Sequence, residues 1–249
     1  MIELTNKEMQ VKSFAKRLFR AFGYELREFN PAISESAQFM KMLSMHKVNL
    51  VFDVGANAGQ FGRKNLRDAG YSDRIVSFEP TIAAWYKLLA ESKNDLHWTV
   101  APRTAIGNFD GEIEIHISDN SQSSSILDML DTHSNAVPES RYIGSERVPL
   151  CRLDSVATGY LSQDSVIFLK IDTQGYEDRV LYGAKDLMTK AVGLQLELSL
   201  VPLYTDQCLF DELIARLKSV GFELWSVSPA FVDPKNGRLL QIDATFFRR

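Results

Sequence analysis

At 249 residues, against a soft prior of about 150 residues per domain, the chain has room for one large domain or for one domain carrying an insertion; two full domains would be cramped. Hydrophobic residues at 45% and charged residues at 24% are ordinary globular proportions, which excludes disordered, collagen-like and coiled-coil classes. The 28 basic and 32 acidic residues leave a net charge of −4, too little positive field for a dedicated nucleic-acid binder, and two cysteines with four histidines and no CxxC pair assemble neither a disulfide framework nor a structural zinc site.

A reducing, cytoplasmic setting is therefore expected, and the start MIELTNKEMQ, with Glu3, Lys7 and Glu8, does not read as a signal peptide. From Val11 to Phe22 the apolar residues Val11, Phe14, Ala15, Leu18 and Phe22 recur at helical spacing, with Lys12, Lys16, Arg17 and Arg20 on the other face. The plainer reading is a helix packed on its own domain or on a second subunit. The alternative is an interfacial helix resting on an anionic membrane, with Phe14, Leu18, Phe19 and Phe22 dipping into it. Residues 1–47 are read as a helical extension and 48–249 as the main domain.

The run VNLVFDVGANAG reads as a buried strand ending at Asp53 in a glycine-rich turn. A helix from Gln60 to Gly70 follows, with Asn57 as its cap, then the strand RIVSFEP ending at Glu79, a helix from Thr81 to about Ser92, and the strand LHWTVAP. Strands alternating with helices predict right-handed crossovers and a mostly parallel sheet. Between about 108 and 148 the rhythm breaks: GEIEIHIS alternates as a hairpin strand, and the polar stretch after it reads as a long loop, either a functional lid or a flexible segment. The rhythm resumes with VIFLKIDTQG, a helix to about Lys190, VGLQLELSL, and a helix from about Gln207 to Val220 capped by Asp206. The strands FELWSVSP and LLQIDATFF close a hairpin through VDPKNG. The most apolar stretch, Val192 to Leu203, is interrupted by Gln195, Glu197 and Ser199 and falls short of the ~20 residues of a membrane span, so a soluble protein is expected.

In open α/β sheets, ligands sit beyond the carboxyl ends of the strands. Gly55 and Gly59 either let a ligand approach the backbone or only shape a tight turn. Glu79, twenty residues after Gly59, stands where an acid accepts ribose hydroxyls, which suits either a nicotinamide dinucleotide or S-adenosylmethionine. The glycines at 55, 59 and 62 do not give GxGxxG, no GK[ST] follows, and a carboxylate at Asp53 would repel a pyrophosphate but suits the ammonium and sulfonium of a methionine moiety.

FDVGANAGQF, SFEP, SSSI, RLDSV, LKIDTQGYEDRVLYGA and LQLELSLVPLY, in this order, resemble the FkbM-type S-adenosylmethionine-dependent methyltransferases over most of the chain from about Val51. The resemblance implies an α/β class I methyltransferase (Rossmann-like) fold: a seven-stranded, mostly parallel sheet in the order 3-2-1-4-5-7-6, with helices on both faces, an antiparallel last strand and the inserted hairpin and lid before strand 4. It implies O-methylation of a hydroxyl on a sugar, a glycan or a polyketide-like small molecule. By position it puts Asp53, Gly55, Ala56, Asn57, Gly59 and Gln60 around the methionine part, Glu79 and Pro80 at the ribose, and Thr104, Ala105 and Ile106, at the end of the third strand, at the adenine. TQGY stands where amino-methyltransferases of nucleic acids carry [DNS]PP[YFW], which favours oxygen as the acceptor.

Asp172 and Glu197 are acids in otherwise apolar strands, so burial is expected to raise their pKa toward the working range. Asp172 is read as the base, acting directly or through a divalent metal, with Glu197 orienting the acceptor or sharing that role. The structural alternatives are a helix cap for Asp172, a Lys170 ion pair for Glu197 and a first-turn helix acid for Glu177. His133, in the long polar segment, is a third candidate base, although a lone histidine in a polar loop is expected to face solvent. The rival functions are an NAD-dependent oxidoreductase and a nucleoside-binding module without turnover.

Overall fold

The structure, a computed structural model, describes residues 6–24, 26 and 28–249. Residues 1–5, on which part of the signal-peptide reading falls, lie outside the described residues, as does the side chain of Lys12. The chain divides into two compact units, Met1–Met42 and Leu43–Arg249. The first holds helix α1 (Asn6–Ala21), which contains the predicted amphipathic stretch except Phe22, and most of α2 (Glu35–Met45), whose entry is marked by Ser34 Oγ accepting from Ala37 N at 3.3 Å.

The second unit is built on β1 (Leu50–Val54), β2 (Arg74–Phe78), α3 (Ile82–Ser92) and β3 (Trp98–Val100), with a π-helical segment at Phe61–Arg67 between β1 and β2. Then come β4 (Ala105–Gly107), β5 (Gly111–Ser118), α4 (Asp131–Ala136) and β6 (Tyr142–Arg152). The chain goes on through α5 (Leu153–Val156), β7 (Ile167–Ile171), α6 (Glu177–Tyr182), α7 (Lys185–Lys190), β8 (Ala191–Ser199), α8 (Phe210–Ser219), β9 (Phe222–Val232) and β10 (Leu239–Arg248).

Seven strands form one sheet in the order β3-β2-β1-β7-β8-β10-β9. Pairing is parallel from β3 through β8, while β10 runs antiparallel to both β8 and β9. Every residue of β1 and β7 is buried, as central parallel strands covered on both faces must be, and their Leu50, Phe52, Leu169 and Ile171 lie at the centre of the core. The sheet is thus mixed, and a second sheet of three strands, β4-β6-β5, stands beside it.

Several local expectations are corrected. Asn57 does not cap a helix: it is left-handed (φ 48°), its Oδ1 accepts from the adjacent Ala58 N, and a π-helical segment begins at Phe61 instead of an α-helix at Gln60. A Cβ on Gly62 would come within 2.3 Å of the Trp98 indole, so only glycine lets this wide turn lie against that ring. The stretch read as a long loop contains α4 and the eleven-residue β6, which pairs with β4 and β5. Thr104 to Ile106 do not end the third strand, which stops at Val100; Ala105 and Ile106 belong to β4 in the second sheet. The helix expected to reach Lys190 breaks into α6 and α7 at Gly183, where a Cβ would stand 1.8 Å from the Gly107 carbonyl oxygen. Leu209, not Asp206, precedes α8, and Asp206 is left-handed (φ 57°) within the turn before it.

Candidate active site

A cavity of about 580 Å³ opens beyond the carboxyl ends of β1, β2 and β7. Two groups of residues line it. The loop after β1 (Gly55, Ala56, Asn57 and Gln60), Glu79 and Pro80 after β2, and Thr104, Ala105 and Ile106 at β4 form one. Lys170, Asp172 and Gln174 at the end of β7, Glu197 of β8, Gln241 and Asp243 of β10, Phe231 of β9, and Ser123 and His133 of the segment between β5 and β6 form the other. Among the residues singled out from the sequence, Asp53 and Gly59 do not line the cavity.

Asp53 lies fully buried beneath it, where desolvation raises its pKa. Its Oδ2 accepts from Ser77 Oγ, and its Oδ1, without a hydrogen bond, lies 3.5 Å from Lys170 Nζ. Lys170 Nζ is also 3.2 Å from Asp172 Oδ2. Burial opposes the Lys170 charge, but Asp172, Asp53 and Asp243 outweigh it and hold the ammonium above its ordinary pKa. Lys170 therefore answers the Asp53 charge that the sequence reading set against the ammonium and sulfonium of the methionine part. The pairing of Lys170 with Glu197 is not found, and Asp172 caps no helix, since α6 begins at Glu177.

Gly55 and Gly59 serve the turn: both have positive φ, a Cβ on Gly55 would meet the Asp172 carbonyl at 1.8 Å, and one on Gly59 would press on Leu88 and Trp98. Glu79 braces the same loop. Its Oε2 accepts from Asn57 N at 2.9 Å, and its Oε1 from Thr81 N at 2.8 Å and Thr81 Oγ1 at 2.6 Å. Burial raises its pKa against those hydrogen bonds, and Oε2, with a single donor, keeps a lone pair for a further hydroxyl.

Asp172 and Glu197 share one amide. Gln174 Nε2 donates to Asp172 Oδ1 at 2.9 Å and to Glu197 Oε2 at 2.6 Å, while Gln174 Oε1 accepts from the Tyr204 hydroxyl at 2.8 Å. Gln241 Nε2 adds a second donor to Glu197 Oε2 at 2.8 Å. Burial first, then the charges of Asp172, Asp243 and Glu177, push Glu197 well above the ordinary carboxylate range. Gln174 itself is left-handed (φ 54°), a strained setting for a side chain, and its carbonyl accepts from Ser125 Oγ at 2.7 Å, which ties the SSSI segment to β7. Beneath the loop, Glu177 Oε1 accepts from Thr173 N and Gly175 N, and desolvation lifts this first-turn acid to about 7.

His133 overturns its expectation: it is 3% exposed, packed between Tyr204 and Phe231, with Nε2 3.3 Å from Ser123 Oγ and Nδ1 without a hydrogen-bond partner. Burial lowers it to about 4, so the imidazole is neutral at neutral pH. Its flanking sequence is polar, but α4 turns it inward. Lys170, Gln174, Tyr204 and Gln241 were missed as site residues; only Lys170 left a sequence signal, since it stands two residues before Asp172 and hence on the same strand face.

Residues 53–224, more than half of the chain, match the methyltransferase FkbM domain. The chain belongs to the FkbM methyltransferase family. No curated protein matches it in sequence. Among solved structures, it is similar to magnesium protoporphyrin IX methyltransferase from Synechocystis with bound SAM, at 8% identity and a TM-score of 0.47 over 100% of this chain and 86% of that one. It is also similar to TehB from Haemophilus influenzae, at 12% identity and a TM-score of 0.44 over 85% of this chain and 62% of that one. The assignment rests on the family match.

This FkbM methyltransferase uses S-adenosylmethionine, and its cavity fits that cofactor: the open lone pair of Glu79 suits a ribose hydroxyl, and the apolar walls at Ala105 and Ile106 suit a purine. Among the described residues, no group of three or more His, Cys, Asp or Glu side chains is arranged to hold a metal ion. No described helix is long and apolar enough to cross a membrane.

Proposed function

We propose that this methyltransferase transfers the methyl group of S-adenosylmethionine to a hydroxyl oxygen of a sugar, a glycan or a polyketide-like small molecule. The observation that carries this reading is the pair of carboxyl groups, Asp172 and Glu197, bridged by one Gln174 amide on the cavity wall. In the proposed arrangement the loop of Gly55, Ala56, Asn57 and Gln60 holds the methionine part, Glu79 the ribose, and Thr104, Ala105 and Ile106 the adenine. When bound, the cofactor supplies an electrophilic methyl on a sulfonium centre, released as a thioether once the acceptor oxygen has taken the methyl.

Asp172 accepts the hydroxyl proton, its carboxylate held on one oxygen by Lys170 and on the other by Gln174. Burial and the neighbouring carboxylates favour the neutral form of Glu197, and because its Oε2 already accepts from two amides, Oε1 is the oxygen left to orient the acceptor. Orientation contributes roughly 7–11 kcal/mol to lowering the barrier and the base about 10²–10⁴ in rate. Cys151 and Cys208 are both free, which supports a reducing, cytoplasmic setting.

Calorimetric titration with S-adenosylmethionine, S-adenosylhomocysteine and NAD, with Glu79→Ala as control, tests the cofactor assignment: the first two should bind and the variant should weaken both. Transfer of labelled methyl to a panel of sugars and hydroxylated natural products then tests the acceptor class. Asp172→Asn should keep cofactor affinity and lose about 10²–10⁴ in turnover; full turnover in that variant would remove Asp172 as the base. Binding of NAD alone would overturn the assignment.

A further inference from the structure

The apolar residues of helix α1 are exposed: Val11, Phe14, Leu18 and Phe19, with Phe22 one residue past its end, Phe14 by 68% and Phe22 by 73%. At about 100° per residue they fall within an arc of about 140°, a continuous apolar stripe. Lys16, Arg17 and Arg20 occupy the remaining arc, and no Asp or Glu occurs between Gln10 and Tyr24, in a chain whose net charge is −4. Beyond the helix, Tyr24, Leu26 and Phe29 continue the exposed apolar surface.

From this segregation we infer that α1 is a membrane-surface helix that seats the enzyme on an anionic lipid bilayer. Charge complementarity selects the occupant. A second copy of the chain docking through the same face would cover the phenylalanines but add no counter-charge to Lys16 and Arg17, whereas anionic headgroups answer those cations and the acyl boundary takes the phenylalanines. Nucleic acid would satisfy the cations and leave the Phe stripe in water. The helix lies in the interface plane: its polar arc is too basic and its length too short for a span. An enzyme held this way meets acceptors that are themselves anchored in the bilayer, so the inference rests on α1 alone and adds to the proposed reaction only the place where it occurs.

The test is flotation of the full chain with vesicles of phosphatidylcholine alone and of equal parts phosphatidylcholine and phosphatidylglycerol, at low and high salt. The chain should float with the anionic vesicles and stay behind with the neutral ones. Lys16→Glu/Arg17→Glu should weaken that partition by about 25-fold or more at low salt, from about 5-fold per lost cation. Phe14→Gln/Phe22→Gln should abolish it at either salt. S-adenosylmethionine titration of each variant, expected to match the parent chain, separates loss of the surface from loss of the fold. Failure of the parent chain to float, or flotation insensitive to both variants, overturns the inference. So does light scattering that shows the variants dissociating an oligomer while vesicle binding persists.

Discussion

Gln174 joins Asp172, Glu197 and Tyr204 through one side-chain amide from a left-handed backbone, so its substitution should separate positioning from binding. Gln174→Ala is expected to lower turnover about a hundredfold, the scale of a small misplacement of reacting groups, while changing S-adenosylmethionine affinity little; single-turnover transfer beside calorimetry checks both. Glu177 makes a prediction about stability. Its folded pKa of about 7 lies above the ordinary 4.5, so its contribution is fully present below about pH 4.5 and is lost as pH climbs through 7. The loss is on the order of 3 kcal/mol. Glu177→Gln, which keeps the acceptor for Thr173 N and Gly175 N but does not titrate, should lose less stability than the parent chain between pH 5 and pH 8 in urea melts. The two acids Asp172 and Glu197 were legible in the sequence because charge is conspicuous inside apolar runs. Their amide partners were not, since Gln174 and Gln241 look like ordinary polar residues until the fold sets them beside Glu197.

Between residue and domain, the elements that could be read were those whose burial writes a plain pattern. Strands β1, β2, β7 and β8 appear as apolar runs, and β5 as an alternation of period two. Boundaries set by distant contacts were hidden. The break between α6 and α7 depends on the Gly107 carbonyl, and the inward turn of His133 depends on Tyr204 and Phe231, neither of them near in sequence. Gly183→Ala tests the first of these. A Cβ 1.8 Å from a backbone oxygen forces the turn between α6 and α7 away from β4, which should cost about 3 kcal/mol or more, read as a lower urea midpoint with an unchanged slope.

Across the whole molecule, cavity walls come from β1, β2, β4, β7, β8, β9 and β10, so ligand binding should be felt as global stability. S-adenosylhomocysteine at about a hundred times its Kd should add about 2.7 kcal/mol and raise Tm by about 5–11 °C, and NAD should leave Tm unchanged; scanning fluorimetry reads both.

The antiparallel β10 lies between β8 and β9, both of which precede it in the chain. During synthesis β8 and β9 emerge from the ribosome with nothing to join them, and one edge of β8 stays bare until the chain has doubled back. Because β10 also brings Gln241 and Asp243 to the cavity, that wall stays incomplete until β10 has paired with β8. A nascent chain before that pairing carries an unpaired strand edge that invites mispairing, and the β9–β10 hairpin closes that hazard and completes the cavity in a single step.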